Sequence, residues 1–146
     1  PRRDDFRQRL QGLILSEIAN LERMPLYLPM PRDRRLQAIC QALLKQPELG
    51  LTLDDWGLRV GASSRTLARL FAQELQMSFH EWRQQLRLTE ALPRLLAGDS
   101  VQVVARDLGY GSTRAFSSMF RRLLGETPRD YLGRLEQLAR IRGRED

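Results

Sequence analysis

Arg65 and Arg69 stand four residues apart in the stretch Gly61–Phe71, which reads Gly-Ala-Ser-Ser-Arg-Thr-Leu-Ala-Arg-Leu-Phe. An arginine side chain ends in a planar fork of N–H donors, which fits a phosphate or the O6/N7 edge of guanine through two bonds at once. Leu67, Leu70, Phe71 and Leu75 recur at steps of three and four, so the segment is an amphipathic helix with one apolar stripe. Arg65, Ala68, Arg69 and Ala72 fall on the other face, where the small alanines let both arginines reach into a groove. Gly61 makes the turn before the helix, and Ser63 supplies the oxygen that its first free N–H groups need. Standing alone, such a face is better explained by plain solvation.

It does not stand alone. Thr52, Leu53, Trp56, Gly57, Val60 and Gly61 are answered 48 residues later by Ser100, Val101, Val104, Ala105, Leu108 and Gly109. After one extra turn residue, Ser63, Arg65, Leu67 and Phe71 are answered 49 residues later by Ser112, Arg114, Phe116 and Phe120. Each copy reads as a cap, a short helix, a glycine turn, a second cap and a second helix. The small Gly57 or Ala105 in each first helix lets two helices cross closely, as a helix-turn-helix requires. Two copies of one unit, each showing arginine on its second helix, have the build of paired DNA-reading helices.

Other chemistry is poorly provided for. The chain has one histidine and one cysteine, no cluster with metal-ligand spacing and no phosphate-cradling glycine loop, so neither an enzyme nor a bound metal or cofactor is expected. His80 lies within a cap and reads as a surface residue. Asp54 and Asp55 resemble a catalytic pair, but a place in a helix's first turn explains both. Cys40 shares an apolar face with Ile39 and Leu43 and reads as a buried, inert thiol. At 146 residues the chain makes one or two small domains. Its net charge of +6 and pI of about 10.6 fit an anionic partner. Of 24 basic residues one is lysine, Lys45, and the other 23 are arginine. No apolar run approaches a membrane span, no secretory signal is visible, and the single cysteine suits a reducing cytoplasm. The first residue is Pro1 rather than methionine, so a fragment of a longer protein is expected.

An all-α chain positions these residues. Phe6, Leu10, Leu13, Ile14, Ile18 and Leu21 predict an amphipathic helix over residues 4–23, suited either to docking on the adjoining domain or to a homodimer contact. Arg23–Pro31, with three prolines, is an extended connector, so residues 1–30 form a helix and linker and 31–146 the main domain. A first helix over about 33–45 turns Leu36, Ile39, Cys40, Leu43 and Leu44 inward. Ser78 and Glu81 form a capping box that opens a helix running to Leu96, a rod of roughly 27 Å joining units at about 32–77 and 98–142. Pro93 lies inside that rod and predicts a kink or break near Thr89–Pro93. The second reading helix, 113–123, has Ala115, Phe116, Met119, Phe120 and Leu123 inward, with Thr113, Arg114, Ser117, Ser118 and Arg121 outward. Thr127-Pro128 starts a last helix that packs Tyr131, Leu132, Leu135 and Leu138.

Residues 51–133 resemble the DNA-binding domain of the AraC/XylS family of bacterial transcription regulators. The resemblance rests on Ser63, Arg65, Thr66, Leu67, Arg69, Leu70 and Phe71, on Met77-Ser78-Phe79, Arg87 and Ala91, and on Val104-Ala105 and Leu108-Gly109-Tyr110. Phe116-Ser117, Phe120-Arg121-Arg122, Gly125, Thr127-Pro128 and Tyr131 complete it. It implies seven helices, two helix-turn-helix units joined by a long helix, and recognition helices 64–75 and 113–123 in successive major grooves about 34 Å apart. By position it implies base contacts from Arg65, Thr66, Ala68 and Arg69, and from Thr113, Arg114, Ser117 and Ser118. Candidate phosphate contacts are Arg83, Arg121 and Arg122, with the helix starts at Ser63, Ser64 and Ser112. Residues 1–30 would be the exit helix and linker of a missing effector domain, and RNA polymerase an expected partner. Three residues depart from the pattern. Gln76 replaces a helix-ending glycine, which predicts a looser turn. Pro93 is unusual, and Ser118 replaces a common arginine, which shifts most base discrimination to the first unit.

Overall fold

A computed structural model describes residues 28–145, together with Asp5, Arg7, Gln8 and Gly12. Most of the expected helix over 4–23 lies outside the described residues, as does the connector before Leu28. Among the described residues there are seven sequential helices and no strand: α1 (Arg34–Lys45), α2 (Leu53–Val60), α3 (Ser64–Leu75), α4 (Phe79–Leu96), α5 (Val101–Asp107), α6 (Thr113–Leu124) and α7 (Pro128–Glu145). They form two compact units, and the boundary falls inside α4, between Leu88 and Thr89.

In the first unit Leu36, Ile39, Cys40 and Leu43 of α1 pack with Trp56, Leu67, Phe71, Leu75 and, from α4, Phe79, Trp82 and Leu86. The start of α4 is thus part of this core rather than a free spacer. The proline stretch also belongs here at its end: Trp82 Nε1 donates to the Pro29 carbonyl at 2.8 Å, and Gln37 Nε2 donates to that of Pro31 at 3.1 Å. Local signals set the helix ends. Asp33 caps α1 by accepting from the Arg35 and Leu36 N–H groups, and Thr52 and Asp55 exchange bonds in a capping box on α2. Glu81 N donates to Ser78 Oγ at 3.0 Å at the start of α4.

The second unit buries Ala91, Leu92 and Leu95 of α4 with Val104, Ala105, Leu108, Phe116, Met119, Phe120, Tyr131, Leu135 and Ala139. Its aromatic rings run in a chain: Tyr110–Phe116, Phe116–Phe120 and Phe120–Tyr131, with centroids 5.4, 6.0 and 5.5 Å apart. The first and last of these contacts are edge-on and the middle one tilted, and such ring pairs add to simple area burial.

Several expectations are corrected. Of the kink or break expected near Pro93, the break does not occur: α4 runs on through it, because losing one backbone donor leaves the turns on either side bonded. Gln76 does not loosen its turn. It takes the left-handed conformation itself, at φ 53°, the one non-glycine to do so among the described residues. Leu44 and Leu138, expected inside, are 41% and 40% exposed, and Ala115 is exposed as well. Each lies at the border of its helix's buried arc, where the opposing element decides the outcome; Ala139, not Leu138, fills the site on α7.

Candidate nucleic-acid interface

In each unit a tight turn sets the second helix. Gly57 O accepts from Gly61 N at 2.8 Å and from Ala62 N at 3.1 Å, which folds the turn back over the end of α2. A Cβ on Gly57 would run into the Ala62 carbonyl, so the glycine is needed by the turn's own backbone. The second unit repeats the bond as Tyr110 N to Ala105 O at 2.9 Å, the same 48-residue offset. Gly61 and Gly109 sit at φ 75° and 85°, a region that costs glycine nothing. Ser63 then accepts from Thr66 N at 3.1 Å and Ser112 from Ala115 N at 3.1 Å. These two caps start α3 and α6.

With Leu67, Phe71 and Leu75 buried, α3 leaves Arg65, Ala68, Arg69, Ala72 and Gln73 exposed on one side. Thr66 is half-buried and its hydroxyl accepts from Ser63 Oγ at 3.0 Å, so it serves the cap first. On α6 the exposed set is Thr113, Arg114, Ala115, Ser118, Arg121 and Arg122, with Ser117 half-buried. Ser64 is the first residue of α3 and half-buried.

The arginines divide by partner. The side chains of Arg65, Arg69, Arg114 and Arg121 make no hydrogen bond or ion pair among the described residues. Others are tied down. Arg83 donates to the Leu51 carbonyl at 2.8 Å and lies over the Phe79 ring at 4.7 Å, so its guanidinium is engaged within the first unit. Arg87, only 7% exposed, spreads its fork over the carbonyls of Pro47, Glu48 and Leu49 at 2.8, 3.3 and 3.2 Å. Arg94 holds Asp99 at 3.0 Å and Asp107 at 2.8 Å, and its hydrogen bond keeps the Asp107 carboxyl below the usual carboxylate range. Sequence reasoning missed the roles of Arg87 and Arg94. For Arg87 the signal was a buried-type neighbourhood, Leu86 and Leu88, beside a proline loop rich in carbonyls.

Among the described residues no group of three His, Cys, Asp or Glu side chains is placed to hold a metal ion. Burial pushes the Cys40 thiol up to about 12, far from a reactive thiolate. No helix is long and apolar enough to cross a membrane among those described.

Two tandem helix-turn-helix units, each presenting an arginine-bearing second helix, define a double helix-turn-helix DNA-binding domain. A family model described as a helix-turn-helix domain matches residues 56–134. The transcriptional regulator NimR of Escherichia coli K12 is 38% identical over 134 residues, covering 92% of this chain and 49% of NimR. RipA of Corynebacterium glutamicum is 34% identical over 103 residues, covering 70% of this chain and 31% of RipA. Among solved structures, an AraC-type regulator from Chromobacterium violaceum matches with a TM-score of 0.61 at 29% identity, over 69% of this chain and 91% of that one. The DNA-binding domain of AdpA, solved in complex with a target DNA, matches with a TM-score of 0.61 at 28% identity, over 75% and 96% of the two chains. This chain belongs to the AraC/XylS family of transcription regulators. It spans about half the length of NimR and about a third of RipA.

Proposed function

We propose that this domain binds double-stranded DNA sequence-specifically as part of a bacterial transcription regulator, with α3 and α6 entering successive major grooves. The observation that carries the reading is the repeated exposed face. Arg65, Arg69, Arg114 and Arg121 stay unpaired there, while Arg83, Arg87 and Arg94 are spent inside the units. Base contacts are assigned to Arg65, Ala68 and Arg69, and to Thr113, Arg114, Ser117 and Ser118; Thr66 contributes through the cap. Phosphate contacts come from Arg121 and Arg122 and from the backbone N–H groups behind Ser63, Ser64 and Ser112. Arg83 is better suited to fixing α4 against the Leu51 loop than to holding phosphate.

The two units differ in task. Arg69 centres the reading face of α3, whereas Ser118 holds that place on α6, so the first unit carries most base discrimination and the second anchors. An arginine–guanine pair discriminates by roughly 1–3 kcal/mol. Arg69→Ala should therefore weaken binding to a selected site far more than to random duplex; equal losses on both refute the assignment. With six to ten phosphates neutralised, log affinity falls against log salt with a slope of roughly −5 to −9, and a flat response refutes DNA binding of this kind. Cytoplasmic location, contact with RNA polymerase and an effector domain preceding residue 31 complete the proposed protein, with residues 4–23 either docking on the adjoining domain or joining two copies, and the effector domain as the other route to a homodimer.

A further inference from the structure

The exposed residues of α3 are not equivalent. At 100° per residue, Arg69 lies opposite the fully buried Leu67 and Phe71, at the centre of the exposed arc. Arg65 and Gln73 lie one turn before and after it, each about 40° to the side, at steps of about 6 Å along the axis. All three are exposed. The Gln73 backbone carbonyl receives Gln76 Nε2 at 3.0 Å, but its side-chain amide makes no hydrogen bond among the described residues. Gln37 and Gln76, by contrast, use their amides to cap carbonyls. The 49-residue offset that pairs Arg65 with Arg114 also pairs Gln73 with Arg122, which is likewise exposed. At one position of the repeat, then, one unit presents a cation and the other a neutral amide.

The geometry points to Gln73 as a third base-reading residue of the first unit, taking adenine. This rests on the DNA-binding function proposed above. A glutamine amide matches adenine at N7 and N6 with two hydrogen bonds, and has no charge with which to hold a phosphate. Its contribution is therefore discrimination at one base pair and little general affinity. Arg65 to Gln73 spans about 12 Å along the helix, against 3.4 Å per base pair of duplex. The adenine accordingly lies within about three to four base pairs of the guanine read by Arg65.

The test is a selection of bound duplexes from a pool with about 20 randomised base pairs, run on this chain and on Gln73→Ala and Gln73→Arg. The unaltered chain should enrich a site with adenine at that spacing from guanine. Gln73→Ala should lose the preference at that one position, by roughly five- to 150-fold, with the guanines kept. Gln73→Arg should change the preferred base there from adenine to guanine. If Gln73→Ala returns the unaltered site, or Gln73→Arg only raises binding to every sequence, the assignment is wrong. If the unaltered chain enriches no sequence, sequence-specific binding itself fails, and Gln73 with it.

Discussion

Arg87 offers the sharpest test of how the first unit is held together. Its guanidinium is buried, and its fork bonds three successive carbonyls of the loop that follows α1. A hydrogen bond from a charged donor contributes about 1.5–3 kcal/mol net. Only the 2.8 Å bond to Pro47 is short; those to Glu48 and Leu49 are 3.3 and 3.2 Å, and Glu48 is exposed, so water can serve part of the loop after a substitution. Counting the short bond in full and the longer two at a fraction, Arg87→Met should cost about 3 kcal/mol. Against total stabilities of about 5–15 kcal/mol this is a large share, and for a small domain it lowers Tm by roughly 12–24 °C. Urea unfolding followed by tryptophan fluorescence reads it directly, since Trp56 and Trp82 are both in this core. Arg87→Lys, a point charge that cannot span three carbonyls, should recover less than half of the loss. A change below about 0.5 kcal/mol for Arg87→Met would mean that the loop does not depend on the fork. A lowered salt slope with unchanged stability would instead make Arg87 a phosphate ligand.

Other substitutions probe the turns and the charges. Gly57→Ala forces a methyl against the Ala62 carbonyl and should destabilise by about 1–3 kcal/mol in urea unfolding, while Ala105→Gly in the second unit removes no such clash. Gln76→Gly relieves the left-handed strain and, after losing the bond to Gln73, should gain about 0.5–1 kcal/mol; a loss would show that the side-chain bond outweighs the strain. Asp33, Asp55 and Asp107 all have carboxyls held below their ordinary range, led respectively by the Arg35 side chain, the Thr52 backbone and the Arg94 side chain. Depressed carboxylates stabilise fully above their unfolded value and lose that contribution as pH falls through the folded one. Stability measured by thermal unfolding should thus be flat from pH 7 to about 5 and decline below about 4, with Asp107→Asn flattening part of the decline.

The repeat made the helices and caps readable from the chain. Thr52, Ser63, Ser78, Ser100 and Ser112 each start a helix where a side-chain oxygen was expected. What the pattern could not give was the edge of each buried arc. Leu44, Leu138 and Ala115 lie at those edges, and which way they face depends on the helix packed opposite rather than on their own period. Of the reading faces, Arg65, Arg69, Arg114 and Arg121 were legible because exposure follows from being opposite leucine and phenylalanine. Arg83 and Arg87 were not separable from them by type. A guanidinium looks the same in sequence whether its partner is a phosphate or a carbonyl 40 residues away, as Pro47 is for Arg87.

The shared ownership of α4 matters for anyone wishing to recombine such proteins. Its residues up to Leu88 belong with the first unit and those from Thr89 with the second. A chimaera that exchanges one reading module for a relative's would ordinarily be spliced in a loop, at 77–78 or 97–99. Either junction would strip one module of its own side chains: Phe79, Trp82 and Leu86 in the first case, Ala91, Leu92 and Leu95 in the second. The workable splice is mid-helix, between Leu88 and Thr89, where both donors keep the residues that fill their interiors.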